Sequence, residues 1–351
     1  MPPRPRRRPP GWTALGGAAA LATAAGAGVL GLRERALTRG AAGAGAALAL
    51  PEPDWAGVID AGDGTPLAVH EAGPPTAPVT VVLSHGYCQR MDSWCLQARR
   101  LRAEFGDRVR LVLWDQRGHG GSGAPPAGSC TIGRTAADLA AVIAARAPAG
   151  PVVAVGHSMG GMTVLALGRV APQLVPRLAG AVLVATAAAG LDRGGIPGML
   201  LNPVGAAAVR AAAVRPELLG RLRLLTGALA APVVRGGSFG DQAVAPAVVA
   251  LNEEMIDATD SGTILRFFAT LRNHDETPGA AALAAAGVPA TIVAGDRDLM
   301  IPYARARELA AAWPGAELVR APGVGHMVQL ERPDLVDAAV AAMLRRVPGV
   351  A

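Results

Sequence analysis

Pro151-Val152-Val153-Ala154-Val155-Gly156-His157-Ser158-Met159-Gly160-Gly161-Met162-Thr163-Val164 changes character twice along its length. Val152 to Val155 has the length and β-branching of a buried strand, whereas Met162 to Leu167 stays apolar without alternating, as a helix packed on a sheet does. Between them Ser158 stands on a glycine-flanked turn. A nucleophile on a strand-to-helix elbow takes a strained backbone conformation in which side chains two positions away would collide, and Gly156 and Gly160 carry none. The turn aims backbone N–H groups at the serine, and the positive end of the following helix favours an anion there. An ordinary glycine-rich connection with an exposed serine has the same local pattern, so the rest of the chain must decide.

Outward from the elbow, buried strands recur at Thr80 to Ser84, Arg110 to Trp114, Ala181 to Ala185, Ala290 to Ala294 and Glu317 to Arg320, with helical stretches between them. That alternation predicts an α/β fold with a mainly parallel central sheet and helices on both faces. Before it, Gly57-Val58-Ile59 and Leu67-Ala68-Val69-His70 flank Gly62-Asp63-Gly64-Thr65 as a β-hairpin, so the folded core is expected over 55–185 and again over 288–351. Residues 186–287 show no convincing sheet strand, only Ala/Leu/Val stretches broken by Pro and Gly, with an amphipathic helix from Thr263 to Arg272. An insertion there is expected to form a helical cap over the C-terminal ends of the strands, where open α/β sheets bind ligands.

A serine nucleophile needs a base, an orienting acid and an oxyanion hole, and each has a candidate at a strand end. His326, in Gly325-His326-Met327, follows the last strand and can reach Ser158. Asp298 lies just past Ala294 and can hold the imidazole in its useful tautomer. Ser84-His85-Gly86-Tyr87 closes the first parallel strand, placing the Tyr87 N–H beside the elbow, where it would pair with the Met159 N–H as a two-donor oxyanion site. The order Ser158, Asp298, His326, the His85-Gly86-Tyr87 turn, the loop Asp115-Gln116-Arg117-Gly118-His119-Gly120-Gly121-Ser122, and Gly295-Asp296-Arg297-Asp298 with Pro302 four residues on together resemble the α/β-hydrolase superfamily from Trp55 to the C-terminus. The resemblance implies that fold, a helical cap insertion and acid status for Asp298, with Asp296 second and Asp275 third. His157 is expected to pack in the elbow, His85 and His119 to bond within their loops, and Asp115 and Arg117 to fix theirs.

Composition removes other classes. Hydrophobic residues make up 51% of the 351 and charged residues 17%, which suits a globular body plus an apolar segment. The pI near 10.4 tempts a nucleic-acid reading. Yet up to Gly40 seven arginines stand against Glu34, leaving +6, the formal net charge of the entire chain, so the remainder is formally neutral and nucleic acid is not an expected partner. Cys88, Cys95 and Cys130 are too few and too scattered for a disulfide scaffold or a structural zinc site, although Cys88 and Cys95 could pair in an exported domain, and Cys88, beside the oxyanion turn, is placed to meet thiol reagents. No metal or organic cofactor is called for.

Residues 1–40 read as a basic arm with a membrane-directed segment. Arg4 to Arg8 precede an uncharged run whose apolar part, Trp12 to Leu32, just spans a bilayer core of roughly 30 Å. The arginine balance places the N-terminus inside and the catalytic body outside the cytoplasm. An anchor is expected ahead of a cleaved signal, though Ala22-Thr23-Ala24 offers a cleavage site and Arg6-Arg7-Arg8 permits a twin-arginine reading. Ala41 to Asp54, rich in Ala and Gly and ending near Pro-Glu-Pro, reads as a flexible linker.

The expected activity is acyl transfer to water, with Ser158 attacking an ester carbonyl. A serine at this position speaks against the epoxide hydrolases and haloalkane dehalogenases of the superfamily, whose resemblance would demand a carboxylate. An apolar cap favours a hydrophobic acyl substrate, so a carboxylesterase or lipase ranks first. Acyltransferases, cofactor-free haloperoxidase-like enzymes and C–C bond hydrolases share the triad, and a non-catalytic ligand-binding module of the same fold is the alternative of another class.

Overall fold

In the computed structural model, residues 48–195, 237–241, 243–271 and 273–350 are described. The elements are β1 (Trp55–Asp60), β2 (Pro66–Ala72), β3 (Val79–Ser84), α1 (Cys95–Phe105), β4 (Val109–Trp114), α2 (Ile132–Arg146), β5 (Val152–His157), α3 (Met159–Val170), β6 (Leu178–Val184), α4 (Pro246–Ala258), α5 (Ser261–Leu271), α6 (Thr277–Ala285), β7 (Ala290–Gly295), α7 (Tyr303–Ala312), β8 (Glu317–Ala321), α8 (Val328–Glu331) and α9 (Pro333–Leu344). One eight-stranded sheet runs β1-β2-β4-β3-β5-β6-β7-β8. The hairpin β1–β2 joins β4 antiparallel, and the other neighbours are parallel.

The expected strands therefore lie where the apolar runs put them, each within a few residues. The inner strands β3, β4, β5 and β7 are buried at every position because helices cover both faces. Alternate residues feed the two sides. Val152 and Ala154 pack with α2, α3, α6 and α7 through Leu139, Leu165, Leu283 and Leu309. Val153 and Val155 pack with α1 and α9 through Leu101, Phe105, Val340 and Leu344. Each of the larger side chains among them contributes about 1.5–3 kcal/mol by leaving water. Trp114 is fully buried, and its indole N–H donates to Ser84 Oγ at 3.0 Å, tying the end of β4 to the end of β3.

Among the described residues, packing against the core already includes Leu48, ahead of the expected Trp55. Leu48 is 9% exposed and joins Cys95, Phe239, Val248 and Leu330 in an apolar cluster, because it and Leu50 are the large apolar side chains of an otherwise small-residue stretch. Within 186–287 the described residues hold α4, α5 and α6, and none of them adds a strand to the sheet. α6 lies in the main core rather than above it, since Ala280 and Leu283 pack with Leu165 and Leu167 of α3. Among the described residues no helix is long and apolar enough to cross a membrane. The expected basic arm and membrane-directed segment, and much of the expected cap, lie outside the described residues.

Candidate active site

Ser158 stands between β5 and α3 with φ 51° and ψ −117°, a left-handed conformation that a side chain rarely adopts and that costs about 1–3 kcal/mol. Its surroundings hold it there. The Ser158 N–H donates to the Val184 carbonyl at 2.9 Å, and its own carbonyl accepts from Met162 N–H at 3.1 Å and Thr186 Oγ at 2.7 Å. The expected collisions are real: a Cβ on Gly156 would fall on the Gly160 carbonyl, and one on Gly160 would fall on the carbonyls of Ser84 and His85. Glycine at both positions lets the elbow press against the end of β3.

Three chain segments converge on the hydroxyl. His326 Nε2 lies 3.0 Å from Ser158 Oγ, and His326 Nδ1 lies 2.8 Å from Asp298 Oδ2. Nδ1–H donates to the carboxylate, which leaves the Nε2 lone pair to accept from the serine. Asp298 is itself fixed, since its other oxygen accepts from the Met300 and Ile301 N–H groups, each at 2.8 Å. All three side chains are buried, at 8%, 7% and 5% exposure for Ser158, His326 and Asp298, so their interactions are little screened by water. The Tyr87 and Met159 N–H groups, one after β3 and one opening α3, take no backbone acceptor among the described residues. A serine hydrogen-bonded to a base held by an acid, together with free N–H donors on the flanking turns, is the arrangement that nucleophilic acyl transfer needs.

Residues 81–339 match the alpha/beta hydrolase family. The chain belongs to that family. This α/β hydrolase is 25% identical to a hydrolase from Pseudomonas aeruginosa PA01, covering 84% of its own length and 99% of that chain with a TM-score of 0.63. It is 22% identical to a thermophilic esterase from Thermogutta terrifontis, with 84% and 99% covered and a TM-score of 0.58, a likeness of fold. A Mycobacterium tuberculosis protein named probable oxidoreductase EphD is 35% identical over 108 residues, which span 30% of the hydrolase and only 17% of that relative.

The hydrolase separates the acid candidates cleanly. Asp296 accepts from Arg320 at 2.7 Å and from the Gly323 N–H at 2.7 Å, and Asp275 from the Thr277 N–H at 2.9 Å, so neither faces His326. The loop motifs act as braces. His85 Nε2 accepts the Gln116 N–H at 2.9 Å while its Nδ1–H donates to the Gly86 carbonyl at 2.7 Å, a neutral ring that burial pushes down to about 3. Asp115 accepts from the Met91 and Gly121 N–H groups at 2.7 and 2.8 Å, and burial raises it to about 6. Arg117, with no exposed surface, grips Asp138 through two nitrogens at 2.6 Å and Asp63 of the hairpin turn at 2.8 Å. Hydrogen bonds from Arg117 hold the Asp63 carboxyl well below the usual carboxylate range. Helix α5 docks on this face: Tyr87 donates its hydroxyl proton to the Ile264 carbonyl at 2.6 Å, and Thr270 to the Cys130 carbonyl at 2.6 Å.

Cys88, Cys95 and Cys130 are free and buried. The reactivity expected of Cys88 does not fit its setting, because burial pushes its thiol up to about 12. Three contributors to the site go beyond the sequence expectations. His157, expected only to pack, donates from Nε2 to the His326 carbonyl at 2.9 Å. Ser238 offers its carbonyl to the His326 and Met327 N–H groups at 2.9 and 3.0 Å. Glu331 accepts from the N–H of Gly325 at 2.9 Å and of Gly240 at 2.7 Å. An acid five residues past His326 was the available signal for Glu331; carbonyl acceptors such as Ser238 leave no residue-type signature.

Proposed function

We propose that this α/β hydrolase cleaves carboxylic esters through an acyl-enzyme on Ser158. The observation that carries the reading is the relay Asp298–His326–Ser158, at 2.8 and 3.0 Å, together with Tyr87 and Met159 N–H groups that take no backbone acceptor among the described residues. His326 Nε2 takes the hydroxyl proton as Ser158 Oγ attacks the ester carbonyl carbon. The carbonyl oxygen becomes an oxyanion held by the Tyr87 and Met159 N–H groups, each such donor contributing about a hundredfold or more in rate. Collapse breaks the C–O bond, and the imidazolium returns its proton to the departing alcohol. Water then gives a proton to His326 as it attacks the acyl carbon, and the acid leaves with Ser158 restored.

An apolar cluster beside the site favours an apolar acyl group. Met159, Met162, Leu191, Phe267 and Ile301 form one buried cluster with Tyr87 packed against it, contiguous in the chain with both oxyanion donors and with the Asp298 turn. Purified protein assayed with a series of p-nitrophenyl esters tests it: turnover that depends on Ser158 and improves from acetyl to medium acyl chains is expected. Equal turnover by Ser158→Ala would end the proposal.

A further inference from the structure

The catalytic histidine sits on a loop, and the loop is gripped from several directions. The His326 ring is held by Asp298 and its carbonyl by His157, at 2.8 and 2.9 Å. Its N–H is taken by Ser238 at 2.9 Å. Ser238 belongs to 237–241, a described segment within the 186–287 span expected as the cap, and it lies directly against the histidine loop. Contact between the two backbones is so close that a Cβ on Gly240 would fall on the Gly323 carbonyl, and one on Gly325 on the backbone of Phe239. The Asp241 N–H adds a bond to the Gly323 carbonyl at 2.7 Å.

Glu331 closes this junction from the far side. One carboxylate oxygen accepts from Gly325 N–H, the residue preceding the catalytic histidine, at 2.9 Å; the other accepts from Gly240 N–H at 2.7 Å. A single side chain thus bonds to both segments at once. We propose that Glu331 is a positioning residue that clamps 237–241 to the Gly325-His326 loop, so that the placement of 237–241 and the aim of His326 Nε2 at Ser158 are set together. This rests on the ester-hydrolase reading of the same site.

Two further facts fit a positioning role. Burial raises the Glu331 carboxyl to about 7, against the opposing pull of its two N–H bonds, so holding this acid at the junction costs solvation of its charged form. An apolar residue would avoid that cost but would leave the Gly325 and Gly240 N–H donors without these partners. Reaction geometry is also unforgiving, since displacing a catalytic group by on the order of 1 Å can cost about a hundredfold.

The decisive variant is Glu331→Gln, which keeps one acceptor oxygen and turns an amide N–H₂ against a backbone N–H donor. Active sites are counted by titration with a fluorophosphonate, so kcat is read per competent serine and loss of folded protein does not enter. We expect kcat per site to fall by more than about tenfold with KM changed by less than about threefold. A smaller fall in per-site kcat, whatever the change in Tm, would overturn the role. Glu331→Asp, which keeps the charge but is shorter by one methylene and cannot span both N–H groups, is read against the same threshold should the glutamine variant fail to fold. A parent protein that neither takes the label nor turns over esters removes the ester-hydrolase reading itself. A parent that does both, beside a variant above the threshold, removes only the clamp.

Discussion

A single methyl group at Gly160 should separate the elbow from the oxyanion turn. A Cβ there would stand 2.6 Å from the His85 carbonyl oxygen and closer still to that of Ser84. Ordinary contact lies near 3.5 Å, so the end of β3 and the start of α3 must part by about 1 Å, and neither partner is a flexible side chain that can swing away. Overpacking of this kind costs about 1–3 kcal/mol, which for a chain of this size corresponds to a Tm lower by about 2–12 °C. The larger effect falls on catalysis. Tyr87 follows His85 by two residues, and displacing its N–H by about 1 Å removes most of one oxyanion donor, a loss of about a hundredfold in kcat with little change in KM. Steady-state kinetics on a p-nitrophenyl ester and differential scanning fluorimetry measure both, with Gly62→Ala as the control because nothing lies within 4 Å of its added methyl. Gly160→Ala with the parent's kcat would refute the idea that the oxyanion turn is held in place by contact with the elbow.

Asp298→Asn should lower kcat by about ten-thousandfold without unfolding the protein. The amide oxygen would keep the Met300 and Ile301 N–H groups and turn its own N–H₂ toward His326, forcing the proton onto Nε2; a rate within about tenfold of the parent would contradict this. Arg117→Met should destabilise the fold by about 3–5 kcal/mol in urea unfolding, because it strands the buried Asp138 carboxylate, and a loss under about 1 kcal/mol would show that the network carries little. Asp337→Asn tests linkage. Burial raises the Asp337 carboxyl to about 7, against about 3.9 in an unfolded chain. The folded state therefore holds a proton that the unfolded state has lost, so a penalty sets in as pH rises above about 4 and is complete above about 7. The Tm advantage of the asparagine variant over the parent should widen from pH 5 to pH 8, and a constant gap would be the wrong result.

Much of the architecture is written in local pattern. Val152 to Val155 and Ala290 to Ala294 read as buried strands because both of their faces meet helices, which makes apolar residues necessary at consecutive positions. The elbow is legible because two glycines at fixed spacing answer a steric demand made by the residue between them. Asp298 needed more than spacing: Asp296 stands two residues before it, the resemblance ranks Asp298 first through Pro302 four residues on, and in the structure Asp298 is the one bonded to the His326 ring. What stayed hidden depends on long-range backbone partners. His157 finds the His326 carbonyl 169 positions away, and Glu331 finds Gly240 91 positions away, with nothing in the intervening residues to mark either pairing. The place of α6 in the core was obscured differently, because an Ala-rich helix that packs on α3 has the same composition as one that lies in a cap.

Mass spectrometry of the protein after reaction with a fluorophosphonate tests most directly whether Ser158 is the nucleophile. One adduct per chain is expected, on the peptide carrying Ser158, abolished in Ser158→Ala and strongly slowed in His326→Ala. An unlabelled protein, or a label on any other residue, would contradict that role.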